Sequence, residues 1–162
     1  MMNKAEIYQL LKNQGLWHEI TEHPAVFNMA EVAELEMPYP EADAKNLFVR
    51  DDKKRNYYLI TVKDDKRVDL KQFSVQHGTR KLSFASADDL MAIMGLIPGA
   101  VTPLGLLNDE ERKVTFYLDH DFMAGDLIGI HPNDNTATVW MKASDLIDII
   151  KSHGNEVVIA EI

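Results

Sequence analysis

Apolar residues recur at helical spacing over residues 4–13 and Gly15 ends the run, which predicts a short amphipathic helix at the start of the chain. A strand over residues 17–21 is expected next, then a turn at His23 and Pro24. Asn28 and Glu31 form a capping-box pattern ahead of a short helix over residues 30–35, and Pro38 and Pro40 break regular structure after it. Residues 46–50 and 57–62 are rich in β-branched and aromatic side chains and flank the charged turn 51–56, a hairpin pattern. Two further helices, over 69–77 and 86–94, each open on a capping acid or hydroxyl and close on Gly78 or Gly95.

Residues 95–107 (GLIPGAVTPLGLL) place glycine and proline repeatedly within an apolar stretch, so no ordinary helix forms there. Strands follow at 114–118, 126–130 and 137–141, the last two separated by the turn 131–135. A helix over 144–153 closed by Gly154 and a strand over 156–162 complete the chain. Strands and helices are interspersed without the strict alternation of a doubly wound sheet, and there is no internal repeat or linker. The pattern predicts an α+β fold over residues 1–162 as one domain, with a mixed, mostly antiparallel sheet and flanking helices.

Composition narrows the chemistry. The 162 residues contain no cysteine, which removes disulfides, thiolate metal sites and cysteine nucleophiles and fits a reducing cytoplasm. The first sixteen residues lack the apolar run of a signal peptide or membrane span, so a soluble cytoplasmic protein with no membrane partner is expected. The net charge of −9 argues against a polyanionic partner, yet residues 45–81 carry eleven bases and five acids. That local excess predicts either a basic face on an acidic body or two solvated turns of mixed charge.

The familiar catalytic signatures are missing: there is no GxSxG elbow, HExxH helix, Walker A loop or GxGxxG turn. The six histidines are scattered, and His120 between Asp119 and Asp121 reads as a surface turn, so neither a metal nor a cofactor is assigned. Three segments look built for a site: AKNLFVR at 44–50, GLIPGAVTP at 95–103 and GIHPN at 129–133.

In order and wording these segments resemble the successive motifs of the YbaK/prolyl-tRNA synthetase editing-domain family, over a stretch from about His23 to the C-terminus. The resemblance is nearest to its free-standing, alanine-removing branch and implies a hydrolase. It implies hydrolysis of the ester joining a wrong amino acid to the 3′ adenosine of a tRNA, most specifically alanine on proline tRNA, with the terminal ribose hydroxyl assisting. It further implies the acceptor end of mischarged proline tRNA as partner, and prolyl-tRNA synthetase beside it.

On that resemblance Lys45 is a positioning cation, Asn46 fixes the substrate, and His131 bonds it or contributes to the pocket. Gly129 and the 95–99 stretch would offer backbone N–H groups to the oxyanion. Val26, Phe27, Met29, Gly99, Val101 and Thr102 would bound the acyl group, and Arg50 and Arg80 would meet the acceptor stem. Other readings of the same segments are a deacylase for cysteine or serine, a non-catalytic aminoacyl-tRNA-binding module and a small-molecule esterase.

Overall fold

In the computed structural model, which describes residues 1–25 and 37–162, helix α1 (Lys4–Asn13) opens on a reciprocal cap. The Asn3 side chain accepts from the Glu6 N–H at 3.0 Å and the Glu6 carboxylate accepts from the Asn3 N–H at 3.4 Å. Ile7 and Leu11 on its apolar face are fully buried. Strand β1 (His18–Glu22) follows. The capping box at Asn28 and the helix expected over 30–35 lie outside the described residues.

Strands β2 (Ala44–Asp51) and β3 (Tyr57–Lys63) form the expected hairpin, in register from Ala44 opposite Lys63 to Arg50 opposite Tyr57. Its charged turn is organised by the buried carboxylate of Asp51, which accepts from the N–H groups of Lys53 and Arg55 and from Asn56 Nδ2 at 3.2, 2.9 and 2.8 Å. Helix α2 (Leu70–His77) starts on Asp69 and ends on Gly78 at φ 70°. A three-residue strand β4 (Leu82–Phe84) comes next, too short to leave a period in the sequence. Helix α3 (Ala87–Met94) runs from the Ser86 cap to Gly95 at φ 65°.

The glycine- and proline-rich segment leads into a 3₁₀ helix (Pro103–Asn108), not an α-helix. Strands β5 (Val114–Asp119), β6 (Ile128–Ile130) and β7 (Ala137–Met141), helix α4 (Ala143–His153) and strand β8 (Val157–Ala160) complete the order. β6 begins two residues later than the sequence pattern predicts. Asp126 is drawn away to the start of α4, where its carboxylate accepts from the Ser144 N–H and hydroxyl, both at 2.8 Å. That distant carboxylate does what a local cap does elsewhere.

The strands form two sheets rather than the one expected: β1-β7-β6, all antiparallel, and β4-β2-β3-β5-β8. In the second, β2 pairs antiparallel with both β3 and β4, whereas β3-β5 and β5-β8 are parallel. The long excursion through α2, β4 and α3 allows β5 to return parallel to β3. Antiparallel pairing still predominates, and a single parallel bridge between Asp43 and Gly129 links the two sheets among the described residues. The main core, including Phe48, Leu59, Phe116, Phe122 and Ile150, lies on one face of the five-stranded sheet; Val49, Ile60, Val62 and Tyr117 pack beneath α2 as a smaller cluster.

Candidate functional site

Two of the three motif segments are fastened together by a buried hydroxyl. Thr102 is fully buried, and its Oγ1 donates to the backbone carbonyl of His131 at 2.6 Å. The same oxygen accepts from the Leu104 N–H at 3.4 Å and so starts the 3₁₀ helix. Thr102 therefore acts as a clasp between the PGAVTP loop and the His-Pro-Asn turn, with its hydroxyl committed to protein partners. The third segment arrives through the Asp43–Gly129 bridge, which sets the start of β2 beside β6.

His131 follows β6 and turns inward, and its Nδ1 lies 2.8 Å from the Ala137 carbonyl. A carbonyl can only accept, so Nδ1 carries the proton of the neutral ring and Nε2 is left as an acceptor. Burial pushes the imidazole below its ordinary pKa and outweighs the favourable Ala137 bond, so the ring is neutral at pH 7. The ring of His23 stands edge-on to it at 6.2 Å between centroids. His23 is held by Pro24 O at 2.9 Å and Thr138 Oγ1 at 3.0 Å. By sequence His23 reads only as a turn residue. The signal that could have found it is the repeated His-Pro dipeptide at 23–24 and 131–132.

Lys45 and Asn46 are neighbours on β2, so their side chains leave opposite faces of the sheet. Lys45 shares its face with Leu47 and Val49 and donates through Nζ to the carbonyl of Lys66, in the loop before α2. Asn46 shares the other face with Phe48, and its Oδ1 accepts from the buried hydroxyl of Thr61 at 2.6 Å. The two motif residues thus project from opposite faces of one strand.

Lys45, Asn46 and Leu47 are partly buried. β4 pairs only with Val49–Asp51, and Ala85 donates to Phe48 O at 3.0 Å. Beyond that point, no described strand pairs with this edge of β2 until the bridge at Asp43.

Acidic groups crowd the Lys45 face. The Asp43 carboxyl is pushed up to about 6 by burial and then by the negative charges of Asp64 and Glu41. Asp64 is raised as well, first by burial and then by Asp65, while the Lys45 ammonium acts in the opposite sense.

Gly129 has a packing role that the sequence reading did not anticipate. It sits opposite Trp140 in the β6-β7 pair, and a β-carbon added there would lie 2.2 Å from the indole ring. The missing side chain makes room for Trp140, whose Nε1 donates to Thr21 Oγ1 at 3.1 Å. Gly99, in contrast, is exposed and holds φ 93° in a turn where Ala100 N–H donates to Ile97 O at 3.1 Å. Val101 is partly buried against the main core. Val26, Phe27 and Met29, the other expected wall residues, lie outside the described residues.

Acids pair with Lys66 and Arg80 of the basic segment, and backbone carbonyls hold others. Lys66 pairs with buried Asp119 at 2.8 Å and with Asp121 at 2.7 Å, the two acids that flank His120. Lys63 donates to Glu41 O at 2.7 Å and lies 4.6 Å above the Phe122 ring. Arg80 grips Asp52 with two bonds, at 2.6 and 3.0 Å, on the surface. Arg50 donates to Asp51 O at 2.9 Å. Lys53, Lys54 and Arg55 in the hairpin turn, together with Arg67 and Lys81, are exposed. The exposed bases of this segment gather mainly at the hairpin turn and beside β4, with Arg67 beyond the other end of β3. Among the described residues no group of three or more histidines and acids is placed to hold a metal, and no helix is long and apolar enough to cross a membrane.

The aminoacyl-tRNA editing domain profile matches residues 23–149, so the chain belongs to that family. Within it, the chain is 38% identical over 138 residues to the prolyl-tRNA editing protein ProX of Acetoanaerobium sticklandii, covering 85% of this chain and 84% of that one. It is 32% identical over 160 residues to prolyl-tRNA synthetase associated domain-containing protein 1 of Mus musculus, covering 96% and 94%. A solved structure described as a candidate trans-editing enzyme for prolyl tRNA synthetase superposes with a TM-score of 0.68 at 21% identity, covering all of this chain and 99% of that one.

Proposed function

We propose that this protein is a deacylase acting in trans on mischarged tRNA, with alanyl-tRNA(Pro) as its substrate. The observation that carries the reading is the convergence of the three motif segments: Thr102 clasps the loop to the His131 turn, and the Asp43–Gly129 bridge brings in the start of β2. Family membership and the relatives' names support the reaction class.

An aminoacyl ester is already activated, so the site has to bind, orient and stabilise rather than supply a nucleophile. Water adds to the ester carbonyl, the bond to the ribose oxygen breaks, and that oxygen leaves with a proton. Lys45 positions a phosphate or ribose of the 3′ adenosine as a compact cation, exchanging the Lys66 carbonyl for the ligand. Asn46 contacts the substrate from the other face of the strand. Neutral His131 accepts a hydrogen bond at Nε2. Exposed Gly99, rather than Gly129, is the glycine whose N–H a developing oxyanion reaches.

Selection works by size. One methyl provides only about 1–3 kcal/mol of discrimination. An acyl pocket with Val101 in its wall excludes the proline ring by overpacking instead. Arg50 and Arg80 receive the acceptor stem once Arg80 exchanges Asp52 for phosphate, and prolyl-tRNA synthetase is the protein from which the mischarged tRNA passes.

The test is a panel of glycyl-, alanyl-, cysteinyl-, seryl- and prolyl-esters on one tRNA(Pro) body, followed by ester loss. Alanyl and glycyl esters should be hydrolysed and the prolyl ester spared. Faster loss of the cysteinyl or seryl ester would reassign the substrate. Binding without turnover on any ester would leave a non-catalytic module.

A further inference from the structure

Phe84 ends β4 with 62% of its surface exposed, although it lies on an edge strand beside a well-packed sheet. It pairs with Val49, so it shares the Lys45–Leu47–Val49 face of β2, and α2 packs against the same short strand. Phe84 also marks the place where β4 stops; beyond Phe48 no described strand pairs with that edge of β2 until Asp43. Four residues along β2 from its partner Val49 stands Lys45, about 13 Å away at the rise of a strand.

Beyond the other end of β4 the surface carries exposed bases among acids. Lys81 and Arg80 precede β4 by one and two residues, Arg80 held by Asp52, and Arg50, opposite Ser83, leaves the other face of the sheet. Lys81 is exposed, as are Lys53, Lys54 and Arg55 in the adjoining hairpin turn. An exposed ring between a group of exposed bases and a lysine on a strand edge that no described strand covers has the composition of a single-strand nucleic-acid track, with charge following the backbone and a π-face receiving a base.

We propose that Phe84 is a stacking platform for a base in the unpaired 3′ end of the tRNA, guiding that end from the basic hairpin-turn region to Lys45. The inference rests on the editing function proposed above and adds to it a residue that touches the nucleic acid rather than the ester. A generic apolar contact with a protein partner would need only bulk at this position; stacking needs an aromatic face.

Binding should be measured by fluorescence anisotropy on two RNA hairpins with the tRNA(Pro) acceptor sequence, one carrying the unpaired 3′ nucleotides and one blunt. The proteins compared are the full chain and its Phe84→Ala, Phe84→Leu and Phe84→Trp variants, with melting temperatures taken to confirm folding. The alanine and leucine variants should bind the tailed hairpin about tenfold more weakly, the size of one base–aromatic stack. Tryptophan should restore binding, and the blunt hairpin should be indifferent to all three changes. Wild-type affinity of Phe84→Ala for the tailed hairpin, or full rescue by leucine, would overturn the stacking role. Deacylation of mischarged tRNA by the unmodified protein is followed in parallel. Activity there with no effect at Phe84 removes the platform alone, whereas neither activity nor tail-dependent binding removes the editing reading with it.

Discussion

Thr102 Oγ1 and the His131 carbonyl, 2.6 Å apart and joined across 29 residues, hold the PGAVTP loop against the His-Pro-Asn turn. Thr102→Val keeps the shape of the side chain and leaves that carbonyl and the start of the 3₁₀ helix without their partner. A loss of about 1–3 kcal/mol in denaturant unfolding is expected, together with weaker deacylation, and Thr102→Ser should recover most of both. Wild-type stability and activity in the valine variant would show that the clasp is dispensable.

Lys45→Ala should cut deacylation about 10- to 100-fold, the worth of one charge-assisted hydrogen bond, with little change in melting temperature. The residue is half-buried and its partner is a loop carbonyl, so the core does not depend on it. Single-turnover rates at saturating protein separate this loss from weaker binding. Near wild-type rates would remove Lys45 from the site.

Gly129→Ala drives a methyl group into the Trp140 ring, which is pinned by Thr21 and by Tyr39 edge-on at 5.5 Å. The expected cost is about 1–3 kcal/mol of stability, with a changed tryptophan emission. A variant as stable as the parent would mean that the indole has somewhere to go. The double change Gly129→Ala with Trp140→Phe should recover part of the loss.

Asp43 makes stability depend on pH in an unusual direction. Its folded pKa of about 6 lies above that of an unfolded aspartate, so the native chain binds the proton more tightly. The penalty is absent below about pH 4, grows as pH rises between about 4 and 6, and is complete above that window. Asp43→Asn should therefore stabilise the protein at pH 7–8 by about 1 kcal/mol after solvent screening, and the gain should vanish toward pH 4. Denaturant midpoints across that range check it, and a pH-independent difference would contradict it.

Much of this molecule was legible in the sequence because its signals are local. The Asp69 and Ser86 caps, Gly78 and Gly95 in left-handed conformations, and the β-branched and aromatic run through residues 57–62 each act within a turn or two of chain. The motif segments likewise pointed to the editing family before any geometry was known. What tertiary structure alone decided is what those residues touch. Lys45 and Asn46 are adjacent in sequence yet face opposite sides of the sheet, because side chains alternate along a strand. Gly129 reads by sequence as a backbone donor, and the fold adds a packing role because Trp140, eleven residues away, lies over its α-carbon. The positive excess in residues 45–81 is smaller in space than along the chain because Asp119 and Asp121, outside that segment, close on Lys66. Composition counts charges along the chain, but pairing depends on which charges the fold brings within about 3–4 Å, and that distance is set by strand register and loop closure.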